Sequence, residues 1–216
     1  MKVLNLYAGI GGNRKLWDNV EVTAVEIVPE IAKIYQDFFP DDEVIVTDAH
    51  QFLLDHYKEY DFIWSSPPCP SHSRVRRYLG VMNDYCDPIY PDMKLYEEII
   101  FLNNYFDGFY CVENVNSYYT PLIRPQTVWR HFFWANFYIR DYKSDKIEVR
   151  NLENCGYGFL EEKLGFDLSK YSGIDKRKVL RNCVDPNIGK LILDCARGNT
   201  VIPLTSFSKS LRIEEK

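Results

Sequence analysis

The sequence predicts an α/β fold, a mostly parallel sheet with helices on both faces, and three observations carry that expectation. Short runs rich in apolar, β-branched and aromatic residues recur at KVLNLY (2–7), VEVTAVE (20–26), EVIVT (43–47), DFIWS (61–65) and GFYCVE (108–113), each of strand length. Helix-patterned segments fall between them at 13–17, 29–39, 49–57 and 92–106. The connections are short, and such alternation builds parallel strands joined by crossover helices.

Individual elements carry their own signals. Pro29 suits the first turn of its helix, and Asp92 can cap the longest one. HFFWANFYIR (131–140) reads as a further strand, and DPNIGKLILDCA (185–196) as a final helix with an Asp-Pro start. Residues 141–180 are polar and weakly patterned. The expected organisation is a main domain over 1–140, a short insert over 141–180, and a return to the main domain over 181–216.

Composition narrows the class. With 216 residues, 46% hydrophobic and 26% charged, the chain is globular and of single-domain size. No run approaches 18 apolar residues, and the N-terminus lacks an apolar signal core, so neither a membrane nor a secretory leader is expected. Six cysteines without a C-x-x-C pair argue for reduced thiols in a cytoplasmic protein and against a metal site. The net charge is −5, but it is unevenly spread: residues 1–69 carry 5 Lys/Arg against 12 Asp/Glu, and the remainder 21 against 19. Arg74, Arg76 and Arg77 follow the acidic part with no acid among residues 70–80, and Lys176, Arg177 and Lys178 form a second basic run. Both suit contacts to a phosphate backbone.

LNLYAGIGGN (4–13) sets Gly9, Gly11 and Gly12 between a strand and a helix-like segment, where the backbone must turn tightly against a ligand. A dinucleotide fingerprint would need a third glycine at position 14, which is Arg14. Glu26 ends the second strand, where a carboxylate can accept both ribose hydroxyls, and Asp48 follows the third, suited to an adenine amino group. A nucleoside ligand without pyrophosphate fits this set, and S-adenosyl-L-methionine is one. Cys69 sits in a proline-stiffened turn, SSPPCPSHS (65–73), just past the carboxyl end of another strand, where ligands and chemistry collect in such sheets.

Three segments in order resemble the carbon-5 cytosine DNA methyltransferases: LNLYAGIGGNRKLW their opening motif, PPCPSHS their Pro-Cys nucleophile loop, and VENV (112–115) their Glu-Asn-Val motif. The resemblance implies a Rossmann-like S-adenosylmethionine-dependent methyltransferase fold acting on double-stranded DNA in a bacterial or phage-infected cell. It assigns cofactor contacts to Tyr7, Ala8 and the three glycines, to Glu26 with Ile27, to Asp48 with Ala49, and to Pro67. It makes Cys69 the nucleophile beside Pro68, and Glu113 the group that binds the cytosine ring nitrogen and amino group. Asn114 would hold the Pro68 side of the loop. Thiolate addition at carbon-6 would make carbon-5 enamine-like, with the target base flipped from the duplex. The nearby arginines would favour the thiolate.

The match departs in places. Pro70 and His72 stand where the family has Gln and Phe, while Ser73 agrees and joins the expected DNA contacts. Of the family's Gln-x-Arg-x-Arg segment only TVWRHFFW (127–134) is visible, and Arg130 is the carry-over; Trp129, Phe132, Phe133 and Trp134 read as core. For the terminal cofactor motif, RNCVDPNIGKLIL (181–193) competes with GNTVIP (198–203); the helix that follows favours the first, giving Asn182 and Val184. The insert leaves about 40 residues for target recognition, which predicts relaxed or short-sequence specificity or a partner subunit. Alternatives are a catalytically weak cofactor- and DNA-binding module, an enzyme acting on exocyclic amino groups (whose Ser-Pro-Pro motif ends in an aromatic residue where this chain has Cys69), and an RNA cytosine methyltransferase.

Overall fold

Seven strands form one sheet: β1 (Lys2–Leu6), β2 (Glu21–Val25), β3 (Glu43–Ile45), β4 (Phe62–Ser65), β5 (Phe109–Val115), β6 (Gln126–Val128) and β7 (His131–Ala135). Their spatial order is β3-β2-β1-β4-β5-β7-β6 in a computed structural model that describes residues 1–75, 77–78, 87, 89–142 and 157–198. The first five strands pair in parallel, while β7 runs antiparallel to β5 and to β6. Among the described residues they are accompanied by α1 (Pro29–Phe38), α2 (Ala49–His56), α3 (Lys94–Tyr105), α4 (Tyr157–Leu164), α5 (Lys176–Arg181) and α6 (Pro186–Gly198). The predicted α/β fold, Rossmann-like and mostly parallel, is what the chain adopts.

The two-residue period of the strands divides the core between the sheet's faces. Val3, Phe62, Trp64, Cys111, Phe133 and Ala135 pack on one side with Ile188, Ile192 and Cys195 of α6. Leu4, Leu6, Ile63, Tyr110, Val112 and Trp134 pack on the other with Leu53 of α2 and Leu95, Ile99 and Leu102 of α3. Each fully buried Leu or Phe contributes about 1.5–3 kcal/mol relative to leaving it in water. β5 is buried on both faces, as an interior strand must be.

The sequence-based expectation fails at four elements. Residues 13–17 form turns, not a helix. Five residues are too few to nucleate one, and Asn13 is held instead by reciprocal amide bonds to Asn5 in β1, at 2.8 and 3.4 Å. Arg14, in the third-glycine position, makes a two-pronged ion pair with buried Asp42 (2.8 and 2.9 Å). The strand expected over 131–140 ends at Ala135, and Asn136 then extends the ladder through its side chain, accepting from Tyr110 N and donating to Gly108 O. Within 141–180, α4 and α5 form because Leu160, Leu164, Phe166, Leu168 and Leu180 bury against Ile10 and Ile34. β6 was too short to signal itself. Residues 143–156 of that insert, and GNTVIP beyond Gly198, lie outside the described residues.

α6 closes the fold onto its beginning. Asp185 caps it, accepting from Asn187 N, and Gly189 lies so close to the glycine turn that an added Cβ would sit 2.2 Å from the carbonyl oxygen of Asn13. Trp17 Nε1 donates to Gly189 O at 3.0 Å. Gly189→Ala is therefore expected to lower stability by about 1–3 kcal/mol through overpacking. Gly158→Ala in α4, with nothing within 4 Å of the new methyl, should be neutral or slightly stabilising. Urea unfolding of the two variants checks the contrast.

Candidate active site

The carboxyl ends of β1, β2, β4 and β5 lie side by side, and each delivers one predicted group. At the end of β1 the backbone enters the left-handed region three times, at Tyr7 (φ 55°), Gly9 (55°) and Gly11 (85°). Gly12 could not carry a side chain, because a Cβ there would lie 2.7 Å from both Cys183 Cβ and Val184 O. The 182–184 segment thus packs on the glycine turn. Val184 is buried, while Asn182 is the exposed C-cap of α5.

Glu26 shapes the same turn: its two carboxylate oxygens accept Gly9 N–H and Val28 N–H, both at 3.0 Å. Each oxygen keeps a lone pair free for a ribose hydroxyl. Above Gly9 the space is open, and Ile27 beside it is 61% exposed. Asp48 caps α2, accepting from Gln51 N through Oδ1 (2.9 Å), with Oδ2 left for a nucleobase donor. Ala49 and Ala8 are buried. The Tyr7 phenol is turned away to Glu98, so its backbone alone faces the turn. Open space over a glycine, a carboxylate at the ribose position and an exposed aliphatic face together fit the adenosine part of S-adenosyl-L-methionine.

Past β4, Pro67 is buried and Pro68 exposed. The carbonyl oxygen of Cys69 accepts both His72 N (3.0 Å) and Ser73 N (3.1 Å), closing the loop into a tight turn. Asn114 Nδ2 donates to Pro67 O at 2.9 Å, and its own Oδ1 accepts Val115 N. The expected tie from Asn114 to the loop is present, falling on the acyl half of the Pro67–Pro68 peptide. His72 fills the space expected of Phe and is buried, with Nδ1 2.6 Å from Tyr119 Oη; burial lowers its affinity for a proton.

The thiol itself departs from expectation. Burial pushes Cys69 above the ordinary cysteine range, and the Glu113 carboxylate pushes it further. The arginines do not offset this. Arg74 Nε donates to Ser117 O at 2.8 Å, Arg77 lies over the Tyr118 ring, and Arg76 is outside the described residues. Arg74 and Arg77 are engaged by a backbone oxygen and a ring instead.

Arg130 lies at the end of a strand connection. β6 and β7 join through the two-residue turn Trp129–Arg130, with Trp129 at φ 52°. Arg130 is exposed over the Trp129 ring, and the neighbour that reaches Glu113 is His131, Nε2 to Oε1 3.7 Å. Trp129 is half-buried, packing on the core and lining a cleft of about 470 Å³ together with Arg74, Arg130, His131, Lys163 and Arg181. Phe133 and Trp134 are core as expected. Ser73 lines the same cleft. Lys176, Arg177 and Lys178 sit on α5 around the corner, Arg177 and Lys178 lining a shallower groove with Asn182.

Sequence reasoning missed Glu98. It is fully buried on α3 and bonded to Tyr7 Oη (2.6 Å), Ser65 Oγ (2.5 Å) and His50 Nδ1 (3.0 Å). The signal was a carboxylate within the apolar stripe Leu95, Tyr96, Ile99 and Leu102. Among the described residues no helix is long and apolar enough to cross a membrane, and no three His, Cys, Asp or Glu cluster as metal ligands.

The tRNA (cytosine(38)-C(5))-methyltransferase of Spodoptera frugiperda is 33% identical over 85 residues, covering 36% of this chain and 26% of that protein. The chain therefore spans about a quarter of that relative's length. Among solved structures, a Spodoptera frugiperda DNMT2 variant is 26% identical, with a TM-score of 0.35, over 53% of this chain and 35% of that one. The Thermus hypothetical protein TTHA0928 is 15% identical, with a TM-score of 0.41, over 62% and 73%. A family model described as C-5 cytosine-specific DNA methylase matches residues 1–117, a stretch that contains the glycine turn, Glu26, Cys69 and the Glu113–Asn114 pair. By that match over more than half its length, the chain belongs to the C-5 cytosine-specific DNA methylases, whose methyl donor is S-adenosyl-L-methionine.

Proposed function

We propose that the chain methylates carbon-5 of a flipped cytosine in double-stranded DNA, with Cys69 as nucleophile and Glu113 as the base-binding acid. The observation that carries this reading is geometric: Cys69 follows β4 and Glu113 lies on β5, adjacent parallel strands, and the neighbouring Asn114 amide ties β5 to the Pro67 carbonyl of the cysteine loop. Bound S-adenosyl-L-methionine supplies an electrophilic methyl group at this edge of the sheet. Cys69 gives up its proton and adds to carbon-6 of the ring, while Glu113 takes up a proton and donates it to the ring nitrogen, so that negative charge from the addition is neutralised there; loss of the carbon-5 proton and expulsion of the sulfur afterwards restore the ring. Asn114 fixes the Pro67 carbonyl and with it the direction of the sulfur.

The raised thiol gives the two groups a working relation. In the free protein Cys69 is stored as a neutral thiol. Once a cytosine engages Glu113, the carboxylate's charge is shared with the base and one of the two causes opposing the thiolate weakens. The nucleophile is thereby released when a base is in place. The cleft rim of Arg74, Arg130, Lys163 and Arg181 suits a phosphate backbone. Residues 141–180 then act as a reduced target-recognition segment between the catalytic part and the 181–216 return, with short-sequence specificity or help from a partner subunit. An RNA substrate is the second reading, favoured by the name of the Spodoptera relative.

Incubation with S-adenosyl-L-methionine and DNA containing 5-fluorocytosine is expected to give a covalent adduct, because fluorine at carbon-5 blocks the final elimination. Cys69→Ser should abolish it. An adduct on RNA alone would move the substrate class, absence on both would favour a binding module, and methyl transfer surviving Cys69→Ser would favour the exocyclic-amino chemistry.

The thiol coupling has its own test. Iodoacetamide labelling of Cys69, corrected with Cys69→Ser, should rise with pH through a midpoint above the ordinary cysteine range, since burial and the Glu113 carboxylate favour the neutral form. In Glu113→Gln that midpoint should fall, one of its two raising causes having been removed. An unchanged midpoint would mean the carboxylate does not act on the thiol.

A further inference from the structure

The geometry points to His131 as the positioning residue for Glu113; this inference rests on the proposed function above. Three observations meet at this side chain. His131 pairs with Val115 across the β5–β7 ladder, so by the two-residue period its ring shares a face of the sheet with Glu113. Its Nε2 lies 3.7 Å from Glu113 Oε1, within ion-pair range and longer than a hydrogen bond. Its Nδ1 is buried with no hydrogen-bond partner.

The last observation selects the tautomer. A ring protonated at Nδ1 would leave a buried N–H unpaired and present a lone pair to a carboxylate. A ring protonated at Nε2 turns its N–H toward Glu113 and leaves only an unpaired acceptor behind, the more tolerable of the two orphans. The Nε2–H then faces Oε1 across 3.7 Å and orients the carboxylate electrostatically. The ring is held in turn by Trp129 and Phe133, with ring centres 6.4 Å away on either side.

Other charged groups around the cleft are committed elsewhere. Arg74 is on Ser117 O, Arg130 is over Trp129, and Lys163 lies between the Trp129 face and Asp185. Arg181 lines the cleft from α5. Among the described residues, no lysine or arginine forms an ion pair with Glu113. An imidazole is therefore the donor available to fix this carboxylate, and it can do so without a permanent charge.

Nitrogen-15 NMR of the full chain, labelled in its four histidines and assigned with His131→Phe, reads the tautomer directly. Protonation at Nε2 is expected, and protonation at Nδ1 would overturn the inference whatever the catalytic outcome. On 5-fluorocytosine DNA, or on RNA if that is the substrate, His131→Phe keeps the ring and loses the donor. It should form adduct about tenfold more slowly or worse, with half-saturating substrate unchanged. His131→Gln restores an N–H near the Nε2 position and should recover to within about threefold of the parent. Equal loss in both variants, or none in His131→Phe, would overturn it. If the parent forms no adduct on either nucleic acid, the proposed function fails, and the NMR result still decides the His131–Glu113 pairing.

Discussion

The carboxyl edge of the sheet depends on one buried carboxylate, Glu98. An ionised group with no exposure costs several kcal/mol unless it is fully partnered. Here Tyr7, Ser65 and His50 supply the partners from three different elements. Tyr7 opens the glycine turn in a left-handed conformation that a bulky residue does not favour, and its bond to Glu98 helps hold it there. Ser65 ends β4, two residues before the proline pair. The hydrogen bond to Glu98 raises the proton affinity of His50 on α2. One side chain on α3 thus fixes the spacing between the turn on the cofactor side and the loop that carries the nucleophile.

A second constraint, the division of the strands into two faces, explains how catalytic and supporting groups are sorted. On β5, Glu113 shares its face with Cys111, and Asn114 points to the other. Glu113 therefore meets His131 and the cleft, while Asn114 meets the Pro67 carbonyl. Adjacent letters in the sequence do unlike work because the pleat sends them apart. The same alternation sets His131, paired with Val115, on the face that Glu113 occupies.

What the sequence made legible is what is local. The glycine turn, the proline-bound cysteine and the Glu-Asn-Val strand end each carry their meaning within a few residues, and the strands of β1 to β5 announce themselves as apolar runs. What stayed hidden is what needs a partner far along the chain. His131 gains its importance from a β5–β7 register, Glu98 from three distant donors, and Arg14 from Asp42, 28 residues away. The insert looked featureless because Leu160, Leu164, Phe166, Leu168 and Leu180 are spread over three short pieces, and their common face exists only once α1 is beside them. The thiol was misjudged for a related reason: arginines close in sequence were weighed, and a carboxylate on the next strand outranked them.

That buried face also bears on how a target would be read. Side chains locked against Ile10 and Ile34 cannot reorganise to follow base edges, so the described part of the insert offers the cleft a rigid wall. Arg74, Arg130 and Lys163 around it are held by a backbone oxygen, an aromatic face and an acid, which leaves them presenting charge more than a donor–acceptor pattern. Charge of this kind positions a nucleic-acid backbone and carries little sequence information. On the proposed function, selectivity then falls to the pocket itself, where Glu113 must match the hydrogen-bonding edge of cytosine. A base that cannot engage this carboxylate leaves its charge beside Cys69 undiminished and the thiol protonated. Recognition of the base and activation of the nucleophile are, in that arrangement, one electrostatic event.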